Sequence, residues 1–249
     1  MGNFNTSAFQ HNGRRYNFTA VLWWDKSDPK KSTALDNNHI NSFMYTNEIN
    51  TLYLKGFVEY TDTRGLIDRI LDKQFSYLEV NFYEIEVQSD KDYAVETPSK
   101  THVFNHMFYI NSVEILDRHE NEIKYRLNLM SYFWFQCNSK VEYSNYNTKK
   151  EDIIDIIRGI LTYVGLKPNP DTFDKVKSEV KINFVAGAND SVATSIAYLL
   201  NKMYYYHDRI PQLQYIIYNE HTDKYEMFDV MNQKTWFNMY EMPVTFFKN

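Results

Sequence analysis

A single cysteine, Cys137, excludes an intrachain disulfide and any zinc site built on several thiolates. Seven glycines and six prolines are too few for a Gly-rich cofactor fold, a collagen-like repeat or a linker-dominated chain. The phosphate-binding P-loop, the dinucleotide fingerprint and the G-x-S-x-G nucleophile elbow are all missing. No apolar run approaches the ~18 residues that mark a membrane-spanning helix, so no membrane insertion is expected. Met1 to Phe4 lead into polar residues without a charged and then apolar leader, so no secretory signal is expected and the chain is read as folding in a cytoplasm. In that setting the glycosylation patterns at Asn17-Phe18-Thr19 and Asn189-Asp190-Ser191 carry no meaning. The net charge is -5 and the pI about 5.8, and no basic stripe is present. Lys30-Lys31 and Lys149-Lys150 are isolated pairs that read as solvated surface. A nucleic-acid-binding module needs concentrated cations to displace counterions, and this chain lacks them. A mildly acidic protein is still compatible with DNA that is repelled and slides past.

What the chain does have is aromatic mass: 21 Tyr and 17 Phe among 249 residues, with 43% apolar residues, enough for a sizeable core. Tyr and Phe fit a pleated, half-buried surface, which points to strands. Residues 1–16 are polar and aperiodic and read as an arm. Phe18 to Trp24 read as a strand with apolar residues on both faces, and Asp25 to Asn41 as a long polar loop suited to partner contact. Leu52, Leu54, Gly56, Val58 and Tyr60 alternate on one strand face, and Leu66 to Leu71 suggest a short helix or tight crossing. Tyr77 to Val87 form another strand whose apolar face switches between Phe82 and Tyr83, as a β-bulge produces. Gln88 to Lys100 read as a charged hairpin loop, again suited to a partner. Val103 to Leu116 and Ile123, Tyr125, Leu127 and Leu129 are strands joined by a polar turn. Leu213 to Tyr218 and Tyr225 to Val230 form a last hairpin, before an aromatic segment with Trp236, Phe237, Phe246 and Phe247.

The chain is organised around Asn128 to Leu200, which reads strand, aromatic loop, capped helix, strand, capped helix. Thr148-Lys-Lys-Glu151 has the form of a capping box. Ile153, Ile156, Ile157, Ile160, Leu161 and Val164 then recur at helical spacing, and Gly165 stands where a C-cap is expected. The second helix opens at Asn189-Asp190-Ser191, with Val192, Ile196, Leu199, Leu200 and Met203 as its apolar stripe. Each half of the chain thus reads as a β-meander plus one amphipathic helix. Two small barrels or sandwiches, each with one packed helix, fit that count in an α+β, mainly β fold.

Reactive candidates are few, and each has a plainer explanation. Cys137 sits in the aromatic run SYFWFQC with no local base, which suits a buried, inert thiol. His102 and His106 have a metal-ligand spacing only on a helix, and their surroundings read as strand; they are expected to be partly exposed polar residues beside a turn. Asp152 and Asp155 lie in the first turns of the capped helix, where the helix dipole accounts for them; a glycosidase-type pair would require a cleft. Tyr132-Phe133-Trp134-Phe135 and Tyr204-Tyr205-Tyr206 lack the flanking cations of a base-stacking platform and suit core or interface packing. No catalytic, cofactor-binding or metal-binding residue is assigned, no cofactor is expected, and an enzyme is not expected.

The order of segments resembles a known family. LKGFVEYTD is followed by RGLIDRIL and then by SYLEVNF. The hairpin ending in YRLNLMS leads to Tyr143-Ser144-Asn145-Tyr146, the helix EDIIDIIRGIL and later DSVATSIAYLLNKM. Over roughly Asn50 to Val230 this is similar to the hub proteins of contractile phage baseplates and related injection machines. The resemblance implies a structural virion protein of the tail, assembled in the host cytoplasm, with two tail-tube-like barrels interleaved in sequence. It implies a homotrimer whose six barrels form a pseudo-hexameric ring. That ring would join the tail tube protein to the central spike, with DNA only passing through its lumen. On this scheme residues 50–117 with 187–249 form one barrel, 118–186 the other, and 1–49 an N-terminal arm and loop. The chain departs from the family in being short for a hub and in having no counterpart for its first 48 residues. A plain tail-tube, adaptor or terminator ring protein is the alternative of the same class, and a tail-associated cell-wall hydrolase the alternative of a different one.

Overall fold

A computed structural model of the chain describes residues 8–11, 14–24, 31–48, 51–72, 75–90, 93–144, 150–176, 180–203, 205–207, 210–212, 214–220, 222–229 and 246–247. The chain is mostly β with several helices, and it divides into two compact units. Unit 1 comprises Met1–Tyr45, Lys55–Tyr132 and Val244–Asn249; unit 2 comprises Thr46–Leu54 and Phe133–Pro243. This division differs from the one expected from the resemblance. Residues 118–132 fall in the first unit, where the strand Ile123–Ser131 is paired from Ile123 to Met130 on both sides.

Unit 1 is one antiparallel sheet. In chain order its strands are β1 (Ala8–His11), β2 (Arg14–Trp23), β3 (Ser32–Ala34), β4 (Ile40–Thr46), β5 (Lys55–Asp62), β6 (Tyr77–Asp90), β7 (Tyr93–Arg118), β8 (Ile123–Ser131) and β15 (Phe246–Phe247). Their order in space is β1-β2-β6-β7-β8-β5-β4-β15, with β3 also bonded to β2. Strict alternation puts Tyr125, Leu127 and Leu129 of β8 in the core opposite Tyr60, Val58 and Gly56 of β5. The bulge expected in β6 is present: the β6–β7 register shifts between Phe82 and Tyr83 and again before Ile85.

The sheet rolls up. Laid flat, β2 and β4 would lie five strand spacings apart, about 24 Å. Instead the rings of Phe18 and Phe43 are 5.3 Å apart, and Phe43 also meets Phe104 and Phe108 of β7 at 6.2 and 6.3 Å. The closure is carried by the segment from β3 to β4. Leu35 N–H donates to Ala20 O, and a 3-10 turn at Asn37–His39 is capped by Asp36. Asn37 Nδ2 then donates to Phe18 O at 2.6 Å and Asn41 Nδ2 to Thr61 Oγ1 at 2.9 Å.

Three expectations are corrected here. Part of the expected N-terminal arm is strand, since β1 and the start of β2 pair from Ala8 to Asn17. The expected loop at 25–41 holds β3, the 3-10 turn and the start of β4. Gln88 to Lys100 are mainly a ladder, with Gln88 opposite Val95 and Asp90 opposite Tyr93; the sequence there has no apolar alternation to signal it.

Helix α1 (Leu66–Leu71) confirms the short helix and packs Leu66, Ile67 and Ile70 into the core. Gly65 at φ 70° turns the chain into it and has no side chain to cap it. The buried carboxylate of Asp62 does so instead, accepting from Arg64 N–H at 2.8 Å and Ile67 N–H at 2.7 Å.

Unit 2 is built around two helices, α3 (Ile153–Tyr163) and α5 (Val192–Lys202), which pack on each other. Both helices lie in unit 2, their buried stripes in one core, where one helix per barrel was expected. Unit 2 also holds shorter elements: α2 (Trp134–Asn138), α4 (Pro170–Phe173), the pair β9 (Glu151–Asp152) and β10 (Lys181–Ile182), the pair β11 (Tyr205–His207) and β12 (Ile210–Gln212), and the hairpin β13 (Gln214–Asn219) and β14 (Lys224–Asp229). That hairpin was expected. The expected capping box at α3 is replaced: Asp152 is the N-cap, accepting from Ile154 N–H at 2.9 Å, because Glu151 is held in the β9–β10 pair. Thr148 lies outside the described residues. The helix ends as expected at Gly165 (φ 80°), with Gly165 N–H donating to Thr162 O and Leu166 N–H to Leu161 O, a Schellman pattern. Ser191 caps α5 through Thr194 N–H.

Asp62→Ala should lower the unfolding free energy by about 2 kcal/mol, because two N–H groups lose a charged acceptor. Gly56→Ala should cost about 1–3 kcal/mol, since a Cβ there would sit 2.5 Å from Met44 O. Urea unfolding followed by tyrosine fluorescence checks both; unchanged midpoints would refute the two assignments.

Candidate functional site

The residues singled out for chemistry do not converge. Cys137, on α2, is fully buried; its thiol is 3.5 Å from Leu52 O and 3.8 Å from the Tyr225 hydroxyl, which itself donates to Leu52 O at 2.5 Å. Burial pushes the thiol up to about 12, the Tyr225 hydrogen bond opposing only in part. A neutral thiol in that position is a packing group, not a nucleophile.

His102 and His106 lie on β7, where four residues span about 13 Å, too far for one metal ion. His106 is buried rather than partly exposed, its Nε2 2.9 Å from Ser131 Oγ and its ring edge-on to Phe108 at 4.8 Å. The His102 side chain lies outside the described residues. Among the described residues no group of three or more His, Cys, Asp or Glu is placed to hold a metal ion. Asp152 caps α3, and exposed Asp155 stands 4.0 Å from Arg158, which is engaged more closely by Asp174.

The aromatic run is divided between the units. Tyr132 ends the unit 1 portion, while Phe133 is buried in unit 2 with Tyr218 at 4.7 Å and Tyr225 at 6.1 Å. Phe135 is half exposed and edge-on to Trp134. These tilted rings form no stacking ladder for bases. Tyr205 and Tyr206 are in β11, and Tyr204 lies outside the described residues.

Two features were missed in the sequence. One is a groove of about 320 Å³ in unit 2, lined by Ile182, Asn183, Phe184, Val185, Gly187, Asp190, Ser195 and Tyr198. The Ser195 hydroxyl is buried there without a hydrogen-bond partner, but no histidine or lysine lines the groove to activate it. Asp190 is turned back to accept from Gly187 N–H. The other is a charged outer face on unit 1. Arg126 of β8 donates to Glu59 of β5 at 2.7 Å and stands 3.7 Å from Glu114 of β7, with Lys124 3.9 Å from Glu59. The Arg126 hydrogen bond holds Glu59 below the usual carboxylate range against the opposing effect of burial. The guanidinium also lies over Phe57 at 4.6 Å. Strand alternation marks these side chains as outward-facing, but only the pairing register brings them together.

Comparison with known proteins finds solved structures alone. The E. coli c3393 protein, a component of the type VI secretion system described as structurally similar to T4 bacteriophage tail proteins gp27 and gp5, matches at 10% identity with a TM-score of 0.42, over 76% of this chain and 45% of its own. The 43 kDa tail protein of prophage MuSo2 from Shewanella oneidensis matches at 8% identity with a TM-score of 0.48, over 85% and 53%. The tail protein from Neisseria meningitidis MC58 matches at 10% identity with a TM-score of 0.40, over 85% and 50%. The chain spans about half the length of each of these proteins. The sequence matches no established family profile and no curated protein.

Native Cys137 should resist a thiol reagent at pH 8 and react once urea unfolds the chain, read by absorbance of the released chromophore. An unfolded thiol ionises near 9 and the folded one near 12, so this group's contribution is present below about pH 9 and is lost as pH rises towards 12. Rapid modification of the folded protein would overturn the assignment.

Proposed function

We propose that this chain is a structural component of a phage tail or related injection machine, of the hub type. The observation that supports it is the rolled sheet of unit 1. Within it the segments that carry the resemblance take up their places as β5, α1, β6 and β8, and α3 and α5 follow in unit 2. No reacting group in the described residues competes with this reading: the thiol is neutral, the histidines are far apart, and the groove serine has no base. In this proposal copies of the chain form a ring in the virion tail that joins the tail tube to the central spike, and DNA meets it only in transit. The acidic balance of the chain suits a surface that DNA slides past rather than grips.

One observation favours the alternative ring proteins. A trimer that presents six barrels needs two per chain. Among the described residues one large sheet rolls up, and the sheets of unit 2 have two strands each. One barrel per chain suits a ring of six copies, as in a tail-tube, adaptor or terminator component.

The solution mass of the purified 29.9-kDa chain, followed by negative-stain images, separates these readings. Three copies with a pseudo-six-fold outline are the expected result for a hub, and six copies with true six-fold symmetry would move the assignment to a tube or terminator component. A monomer at high concentration, both alone and mixed with tail-tube and spike proteins, would overturn the ring.

A further inference from the structure

Strand β7 is flanked on both sides for only part of its length. β6 accompanies it from Tyr93 to Tyr109, and Ile110 N–H still donates to Ser76 O at 2.9 Å. β8 accompanies it from Phe108 to Arg118. Residues 111–118 therefore have β8 on one side and, among the described residues, no strand on the other. The register shifts at Asn111 and Leu116 flank a regular stretch, Ser112 to Ile115, and leave it uninterrupted.

The core layer is unfinished along this edge. Val113 lies opposite Leu127 and Ile115 opposite Tyr125, so all four share one face. Leu127 and Tyr125 are completely buried, yet Ile115 is 48% exposed. On the outer face between them, the Glu114 side chain is 56% exposed and 3.7 Å from Arg126, which is already committed to Glu59 at 2.7 Å. Asp117, held by His119 at 3.1 Å, adds a second exposed carboxylate at the end of the stretch. An open edge of this kind is a template for strand addition.

We propose that residues 112–115 of β7 bind an extended segment of another protein with an apolar–basic–apolar pattern. Its apolar residues cover Val113 and Ile115, and its Lys or Arg faces Glu114. Two copies of this chain paired antiparallel about Glu114 would set like charges opposite each other, which opposes self-pairing. Of the chain's own edge strands, β10 alone carries the pattern, as Val180-Lys181-Ile182, and its Lys181 and Ile182 are already paired with Asp152 and Glu151 in unit 2. The partner is therefore a different protein, and the inference stands whether or not the chain forms a ring.

The test uses a fluorescently labelled, blocked peptide Thr-Val-Lys-Val-Lys-Val-Thr and its Glu-for-Lys counterpart, with binding to the full chain read by anisotropy. The basic peptide should bind, and the acidic one at least about threefold more weakly. Ile115→Lys should abolish binding, and Glu114→Lys should reverse the preference. Both sites are exposed, so folding should persist, as the urea midpoint will show. Leu71→Lys, at an exposed position on α1, should bind like the parent chain. No binding of either peptide, equal binding of both, or a self-associated parent chain that Ile115→Lys returns to single copies would each overturn the proposal.

Discussion

The contact between Phe18 and Phe43 is the constraint on which unit 1 depends, because it brings strands from distant places in the sheet onto one core. β4 can reach that position only if the chain leaves β2 through β3, turns at the Asp36-capped 3-10 turn, and arrives beside β5. The strap is polar and short, and hydrogen bonds hold it: Asn37 to the backbone of β2, Asn41 to β5, and Arg64 to Asp36 at 3.4 Å. Once it is in place, Phe18, Phe43, Phe104 and Phe108 shield one another. Burial of each such ring contributes about 1.5–3 kcal/mol, several times what any one of the exposed polar contacts supplies. The polar strap thus sets geometry, and the aromatic cluster supplies the energy.

In unit 2 the comparable centre is the backbone carbonyl of Leu52, which receives the Tyr225 hydroxyl and the Cys137 thiol. Leu52 belongs to the short excursion Thr46–Leu54, and the two donors come from α2 and β14. A carbonyl without strand partners would be costly to bury, and here both of its lone pairs find donors. The excursion is further fixed by Asn47, whose amide donates to Tyr218 O at 2.7 Å.

Local patterns were legible wherever one strand or helix answered to one core. Tyr125, Leu127 and Leu129, the Phe82–Tyr83 bulge, the stripes of α3 and α5, and the Gly165 stop all belong to that kind. The mistakes share a cause. Leu52 and Leu54 have the same parity as Val58 and Tyr60, so they read as one strand face; yet the chain passes between units after Leu54, and periodicity carries no mark of that passage. Thr148-Lys-Lys-Glu151 satisfies a capping rule, but the backbone of Glu151 is taken by a partner 31 residues away at Ile182. The sequence around the ladder between Gln88 and Val95 lacks apolar alternation, and β3 and β4 lie in a segment whose polar composition hides them. The candidate surfaces were least legible. Glu59, Arg126 and Glu114 come from three strands, and their meeting is a property of register.

The interleaving of the units also governs the order in which the molecule can be made. The chain passes between them after residues 45, 54, 132 and 243, so neither unit is a contiguous stretch that could be completed during synthesis before the other begins. Phe246, which pairs with Phe43, is made 203 residues after it. Until then β4 is an incomplete edge, a state open to pairing with the wrong strand. A nascent chain with this topology holds β4 unfinished for as long as the stretch from Phe43 to Phe246 is being made, which ties its yield to chaperone supply and the speed of elongation.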